Sequence, residues 1–115
     1  MVQPDFKPPK RIKGKELFRE LHGKWRCCAL CGSTENLSLH HIIRRSQGGD
    51  DVEANLVMLD GSGTTGCHGA VEGRDGPTLH ALATYLLNKR PDTLAYLVGK
   101  MGPAAASDWF KRQMT

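Results

Sequence analysis

The spacing of cysteines and histidines constrains this chain more than any other feature of its sequence. Four potential ligands fall in two clusters: Cys28 and Cys31 form a Cys-x2-Cys pair, and Cys67 and His68 are adjacent. Side chains of these two types are the usual protein ligands of transition metals. The sequence between the two clusters is rich in turn residues. We therefore expect a hairpin that folds around a bound metal ion.

The composition makes such a metal useful, because the apolar core is expected to be small. With 115 residues, 39% of them apolar and 6% aromatic, the chain should form one domain with a terminal extension. No apolar run approaches the ~20 residues of a membrane span, and residues 1–15 lack the apolar centre of a secretory signal. We expect a cytoplasmic protein with no membrane partner and with reduced or metal-bound cysteines.

Charge is distributed unevenly around the net value of +4. Residues 1–26 carry eight Lys or Arg against three acids, residues 27–76 carry three against seven, and residues 77–115 carry five against two. A basic frame around an acidic centre suits a polyanion that is held by its backbone beside a cation site. On charge alone, an ordinary solvated surface remains an alternative.

Apolar periodicity and turn residues divide the chain into three parts. Residues 1–24 are predicted to form an extended basic arm followed by a short helix over residues 15–22, which Gly23 can close. Residues 25–76 form the central part. Its predicted elements are a cysteine knuckle, a strand over residues 36–43 that alternates Leu37 and Leu39 with polar residues, a strand over residues 54–59 and a helix over residues 67–74.

The third part, residues 77–115, is predicted to be helical throughout. Leucines at helical spacing indicate a helix over residues 78–89, for which Thr78 is a candidate cap. Two further helices are predicted, one starting at Pro91 and one over residues 104–114. These helices could pack on the central part, pair two copies of the chain or bind a partner.

Five short blocks in the central part together resemble the HNH endonuclease family, and its short phage-type members in particular. The blocks are Cys28-x2-Cys31, Leu39-His40-His41-Ile42, Ser46-Gln47-Gly48-Gly49, Asn55-Leu56-Val57 and Gly66-Cys67-His68-Gly69. The resemblance implies a small ββα-metal core with a zinc knuckle. The fold class is then α+β, with the basic arm and helix on one side of this core and the C-terminal helices on the other.

The resemblance also implies roles for the histidines. Adjacent residues of a strand point to opposite faces of the sheet, so His40 and His41 are not expected to share one task. By resemblance, His40 binds a catalytic cation and His41 is the general base. His68 is the second ligand of that cation. Glu72, four residues further on, is able to bind a hard cation such as Mg²⁺ or Mn²⁺, and Ni²⁺ is a further candidate.

Other residues of the blocks and their surroundings have implied supporting roles. Asn55 is implied to tie the loop to the backbone and so to keep the base oriented. Arg44 and Arg45 directly follow the histidines and are candidates for clamping a phosphate, unless they are ordinary loop residues. We assign Arg45 to the catalytic group. DNA binding is assigned to Arg44 and to three residues of the basic arm, Lys10, Arg11 and Lys13.

The cysteines predict a second, structural site. By resemblance, Cys28, Cys31 and Cys67 are zinc ligands that bracket the catalytic site. The family normally has a fourth cysteine at the end of the second strand, where this sequence has Asp60. Aspartate can bind zinc, so Asp60 is the predicted fourth ligand. Cys27 is an alternative, and loss of the zinc is another, with the cysteines as small packing residues.

The predicted function is a metal-dependent endonuclease that hydrolyses DNA phosphodiester bonds by nicking or cleavage, associated with a phage or prophage. DNA is the expected partner, and a phage packaging terminase is a further candidate partner. A branched-DNA resolvase is a narrower version of the same class. The competing hypothesis is a zinc-containing module that binds nucleic acid without cutting it, which would have no need of His41 beside His40.

Overall fold

The computed structural model describes residues 14–114 of the chain. These residues form a two-stranded antiparallel sheet and five α-helices. In chain order the elements are α1 (Lys15–Lys24), β1 (Leu37–His41), β2 (Leu56–Asp60), α2 (Gly66–Glu72), α3 (Gly76–Lys89), α4 (Pro91–Met101) and α5 (Pro103–Gln113), with 3₁₀ turns at Arg45–Gln47 and Glu53–Asn55. The α+β class and the order strand, loop, strand, helix are confirmed.

The two strands are shorter than the periodicity predicted. In the antiparallel register, His40 lies opposite Val57 and His41 lies opposite Leu56. Ile43, predicted to end β1, instead donates its N–H to the side chain of Asn55. Asn55 lies in a 3₁₀ turn rather than in the predicted second strand. The strand pairing therefore ends at His41, and beyond it the side chain of Asn55 accepts the hydrogen bond of the Ile43 backbone.

The alternation expected for β1 gives the wrong buried face. Leu37 and Leu39 are only half-buried, whereas His40 is the most buried residue of the strand at 7% exposure. The reason is α2, which crosses the face of the sheet that carries His40, so that the rings of His40 and His68 lie 5.2 Å apart. A polar side chain is thus buried at the contact between sheet and helix, as a binding site requires.

The three C-terminal helices each contain a proline in the first turn, where its missing N–H costs nothing: Pro77, Pro91 and Pro103. The cap of α3 is Asp75, whose carboxylate accepts a hydrogen bond from the N–H of Thr78. The prediction that Thr78 itself is the cap was therefore wrong by one turn. Helix α1 also runs one residue past Gly23 before Trp25 turns extended.

The C-terminal helices share one apolar core with the strands and α2. This continuous cluster of buried residues includes Val57 and Leu59 of β2, Leu86 of α3, Leu97 of α4 and Ala106 of α5. Among the sequence-based alternatives, packing on the central part is thus what the described residues show. Within residues 14–114, no helix has the length and apolar character needed to cross a membrane.

Candidate metal centre

The four predicted zinc ligands come together at one end of the sheet. The candidate ligand atoms of Cys28, Cys31, Asp60 and Cys67 all lie within 4.8 Å of one another. Tetrahedral zinc with Zn–S bonds of about 2.3 Å brings its ligand atoms to nearly this spacing. Cys27, the alternative ligand, is exposed and lies outside the cluster.

Local backbone hydrogen bonds shape the knuckle around Cys28. Its Sγ accepts from the backbone N–H groups of Leu30 and Cys31, each at 3.4 Å. Gly32 adopts a positive φ of 79° and returns its N–H to the carbonyl of Cys28. N–H groups aimed at sulfur stabilise thiolate character, which is what a zinc ligand needs.

Asp60 is the common acceptor of this cluster. Its Oδ1 accepts from the thiol of Cys31 at 3.2 Å and from the backbone N–H of Cys67 at 3.3 Å. Hydrogen bonding from Cys67 and then Cys31 lowers the pKa of Asp60. Burial, followed by the contact with Asp60, raises the pKa of Cys67. Asp60 accepts hydrogen bonds from the thiols around it. A divalent cation can take the place of those thiol protons, so the residues fit zinc.

Two glycines allow Asp60 to reach the thiols. Gly61 has a φ of +88°, and a Cβ there would lie 2.0 Å from the carbonyl oxygen of Thr65. Gly66 has a φ of +63°, and its Cβ would lie 2.8 Å from Oδ2 of Asp60. The loop between β2 and α2 therefore requires glycine at both positions. This folding brings Cys67 back onto the end of β2.

The second cluster contains His40 from β1 and His68 and Glu72 from α2, with candidate ligand atoms within 4.8 Å of one another. Nδ1 of His40 lies 3.2 Å and Nε2 of His68 lies 3.5 Å from the same carboxylate oxygen of Glu72. The buried Nδ1 of His40 nevertheless makes no hydrogen bond. Burial lowers the pKa of His40 to about 4 and also lowers the pKa of His68. Two neutral imidazoles around one carboxylate fit a divalent cation.

Ser38, which the sequence analysis did not single out, fixes the tautomer of His68. Its hydroxyl donates to the carbonyl of Gly61 at 2.7 Å, which uses its only proton. The contact of 2.6 Å between Ser38 Oγ and His68 Nδ1 must then be donated by the imidazole. Nε2 of His68 is left with its lone pair facing Glu72, which is the form that binds a cation.

His41 pairs with a buried acid on the other side of its strand. Its Nε2 lies 2.8 Å from Oδ1 of Asp51, which is only 6% exposed. Arg45 approaches the same nitrogen at 3.4 Å, but the shorter contact with a carboxylate decides that Nε2 carries the proton. Phe18 of α1 packs edge-on against the ring at 6.0 Å. The neutral ring therefore has Nδ1 as its basic atom.

Asn55 is fully buried and holds both ends of the loop that follows β1. Its Oδ1 accepts from the N–H of Ile43 at 2.7 Å. Its Nδ2 donates to the carbonyls of Ile43 at 3.1 Å and Asp50 at 3.0 Å. The loop thereby places Asp51, the next residue, against His41.

The two predicted phosphate-binding arginines are exposed beside the histidines. Arg44 lies 3.5 Å from Oε1 of Glu72, and Arg45 lies 3.8 Å from Oδ1 of Asp51 while its guanidinium packs over Phe18. The arm residues assigned to DNA binding, Lys10, Arg11 and Lys13, lie outside the described residues.

Sequence reasoning missed Asp51 and Ser38 for different reasons. Asp51 lies in a polar, Gly-rich loop, and nothing local distinguishes a buried acid there from a solvated one. Ser38 lies two residues before His40, so strand alternation could have placed it on the same face.

Comparison with known proteins adds one finding. No curated protein and no solved structure matches the chain significantly. The match to a family model begins at the first knuckle cysteine and ends at Asp60, and so covers both strands and the loop between them. Residues 28–60 of the chain match the model of the HNH endonuclease family.

Proposed function

We propose that the protein is a metal-dependent endonuclease that hydrolyses DNA phosphodiester bonds. The observation that carries the proposal is the arrangement around β1. A cluster of His40, His68 and Glu72, in which the buried Nδ1 of His40 lies 3.2 Å from the carboxylate of Glu72, lies beside a His41–Asp51 pair. His40, His41 and Glu72 line one cleft. A cation site and a base on the same cleft are what phosphodiester hydrolysis requires.

The chain's own residues supply the remaining chemistry. A cation held by His40, His68 and Glu72 would stabilise negative charge on the phosphate and on the leaving oxygen. His41 takes the proton of the attacking water on Nδ1, while Asp51 keeps Nε2–H in place and stabilises the imidazolium that forms. The water oxygen bonds to phosphorus, the bond to the 3′ oxygen breaks, and that oxygen takes a proton from solvent.

A plasmid nicking assay tests this proposal. Supercoiled DNA is incubated with the protein and Mg²⁺, Mn²⁺, Ni²⁺ or no added metal. Nicking that requires metal and is lost in His41→Ala is expected, with His22→Ala as the control, because His22 is an exposed residue of α1. His41→Ala should retain cation affinity, whereas His68→Ala should lose it. Binding without cutting of either the plasmid or a branched DNA under every metal would favour the non-cutting zinc module instead.

The narrower substrate, the partner and the structural zinc can each be tested by a separate experiment. A branched-DNA resolvase would cut a four-way junction in preference to the linear duplex made of the same strands. Association with a phage terminase would appear as co-purification with a co-expressed large terminase subunit. The structural zinc would appear as about one equivalent of tightly held zinc by elemental analysis.

A further inference from the structure

The cleft that His40, His41 and Glu72 line is also lined by residues of a C-terminal helix. Its volume is about 400 Å³, within the range of sites that hold a small molecule. Its lining includes His40 and Glu72 of the candidate cation site together with Trp109 and Arg112 of α5. A C-terminal helix outside the HNH match thus forms a wall of the same cleft.

The lining of this cleft combines apolar side chains with exposed cationic side chains. Val71, Leu79 and Leu82 provide apolar surface in the lining. Trp109 is half-buried, and its ring is held edge-on to Phe110 at a centroid distance of 4.8 Å. The exposed basic residues of the lining are Arg44, Arg74 and Arg112, and Glu72 is its one carboxylate among the described residues.

A nucleotide with a free base face matches this combination. An aromatic side chain stacks on a base of any sequence, and arginines hold the adjoining phosphate. Bases inside a duplex present only their edges, because their faces are covered by their neighbours. A base that reaches Trp109 must therefore be unpaired, and it must lie close to the phosphate at the cation site.

We propose that this cleft binds an unpaired nucleotide next to the scissile phosphate, with its base on Trp109 and its backbone against Arg74 and Arg112. This inference rests on the proposed function for the identity of the neighbouring phosphate. The substrate class is then DNA with a single-stranded segment at the cut, such as a flap or a branch, rather than continuous duplex.

Binding tests the inference separately from cutting. Fluorescence anisotropy is measured without added divalent cation on three labelled DNAs of shared sequence: a single strand, a blunt duplex and a duplex with a single-stranded flap. Stacking is worth about 1–3 kcal/mol per base, so Trp109→Ala should weaken binding of the flap and the single strand about tenfold. Binding of the blunt duplex should change less than about twofold.

Matched variants distinguish the loss of a DNA contact from the loss of the folded structure. Trp109→Phe should keep most of the affinity for the flap, and Arg112→Gln should weaken flap binding and reduce its salt slope by about one. The control is Lys111→Gln, which removes the same charge from an exposed neighbour that does not line the cleft and should lower the flap preference by less than about twofold. If Trp109→Ala does not fold, Arg112→Gln and Trp109→Phe still decide the question.

The outcomes distinguish this inference from the proposed function. Equal affinity for flap and duplex, or equal weakening of both by Arg112→Gln, would overturn the cleft assignment while leaving nicking activity intact. A flap preference that depends on Trp109 in a protein that never cuts would support the cleft and overturn the nuclease.

Discussion

The hydroxyl of Ser38 decides which nitrogen of His68 is able to bind a cation. Ser38→Ala removes the acceptor for Nδ1–H, so the imidazole can adopt either tautomer. We expect Mn²⁺ affinity to fall about tenfold, as loss of such supporting hydrogen bonds typically causes. Calorimetry measures the affinity, and ¹⁵N NMR reports the His68 tautomer. Ser38→Thr should retain both properties, and the exposed Ser46→Ala is the control. Unchanged affinity and tautomer in Ser38→Ala would show that the hydroxyl does not act on His68.

Asn55 is a second single residue with a predicted effect, which is on the free energy of unfolding. Asn55→Ala removes the buried hydrogen bonds that its amide makes to the N–H and carbonyl of Ile43 and to the carbonyl of Asp50. We expect the free energy of unfolding to fall by about 3 kcal/mol, measured by urea denaturation. Asn88→Ala, on the exposed face of α3, should change it by less than about 0.5 kcal/mol. A small effect at Asn55 would mean that water replaces its amide.

At the scale of elements, α4 is attached to the loop that carries Asp51. The hydroxyl of Tyr96 donates to Oδ2 of Asp50 at 2.8 Å and accepts from the N–H of Asp50 at 3.0 Å. Burial, with a smaller contribution from Asp50, raises the pKa of Tyr96 to about 12. A raised folded-state pKa means that the contribution of Tyr96 to stability is complete below pH 10 and is lost as the pH rises towards 12.

The raised pKa of Tyr96 predicts how the stability of the protein changes at alkaline pH. The free energy of unfolding of the wild type should fall between about pH 10 and pH 12, and Tyr96→Phe should lack part of that fall because it has no phenol to ionise. Urea denaturation at closely spaced pH values measures the difference. Tyr85→Phe should follow the wild-type curve. Parallel curves for Tyr96→Phe and the wild type would contradict a buried, hydrogen-bonded phenol at this position.

The elements also show which parts of the structure a sequence can predict. The resemblance to the HNH family predicted that Cys28, Cys31, Asp60 and Cys67 meet, and the Cys-x2-Cys spacing and the turn-rich sequence between the two clusters are consistent with it. The leucine periodicity predicted α3 closely. The pairing of Asp51 with His41 was not predictable, because nothing in its polar loop distinguishes a buried acid from a solvated one. The burial of His40 was not predictable, because it depends on α2, an element distant in sequence. The contribution of α5 to the cleft was missed for the same reason.

On the scale of the whole molecule, the cysteine cluster joins the knuckle before β1 to the start of α2, and Cys67 is adjacent to His68. Metal at this cluster should therefore stabilise the fold and position the second site together. We expect one zinc per chain by elemental analysis, and we expect Cys31→Ser to lose it and to melt at least about 10 °C lower. Cys27→Ser should keep both the zinc and the melting temperature, because Cys27 lies outside the cluster. Identical melting of the two variants would contradict a structural zinc and reduce the three cysteines of the cluster to packing residues.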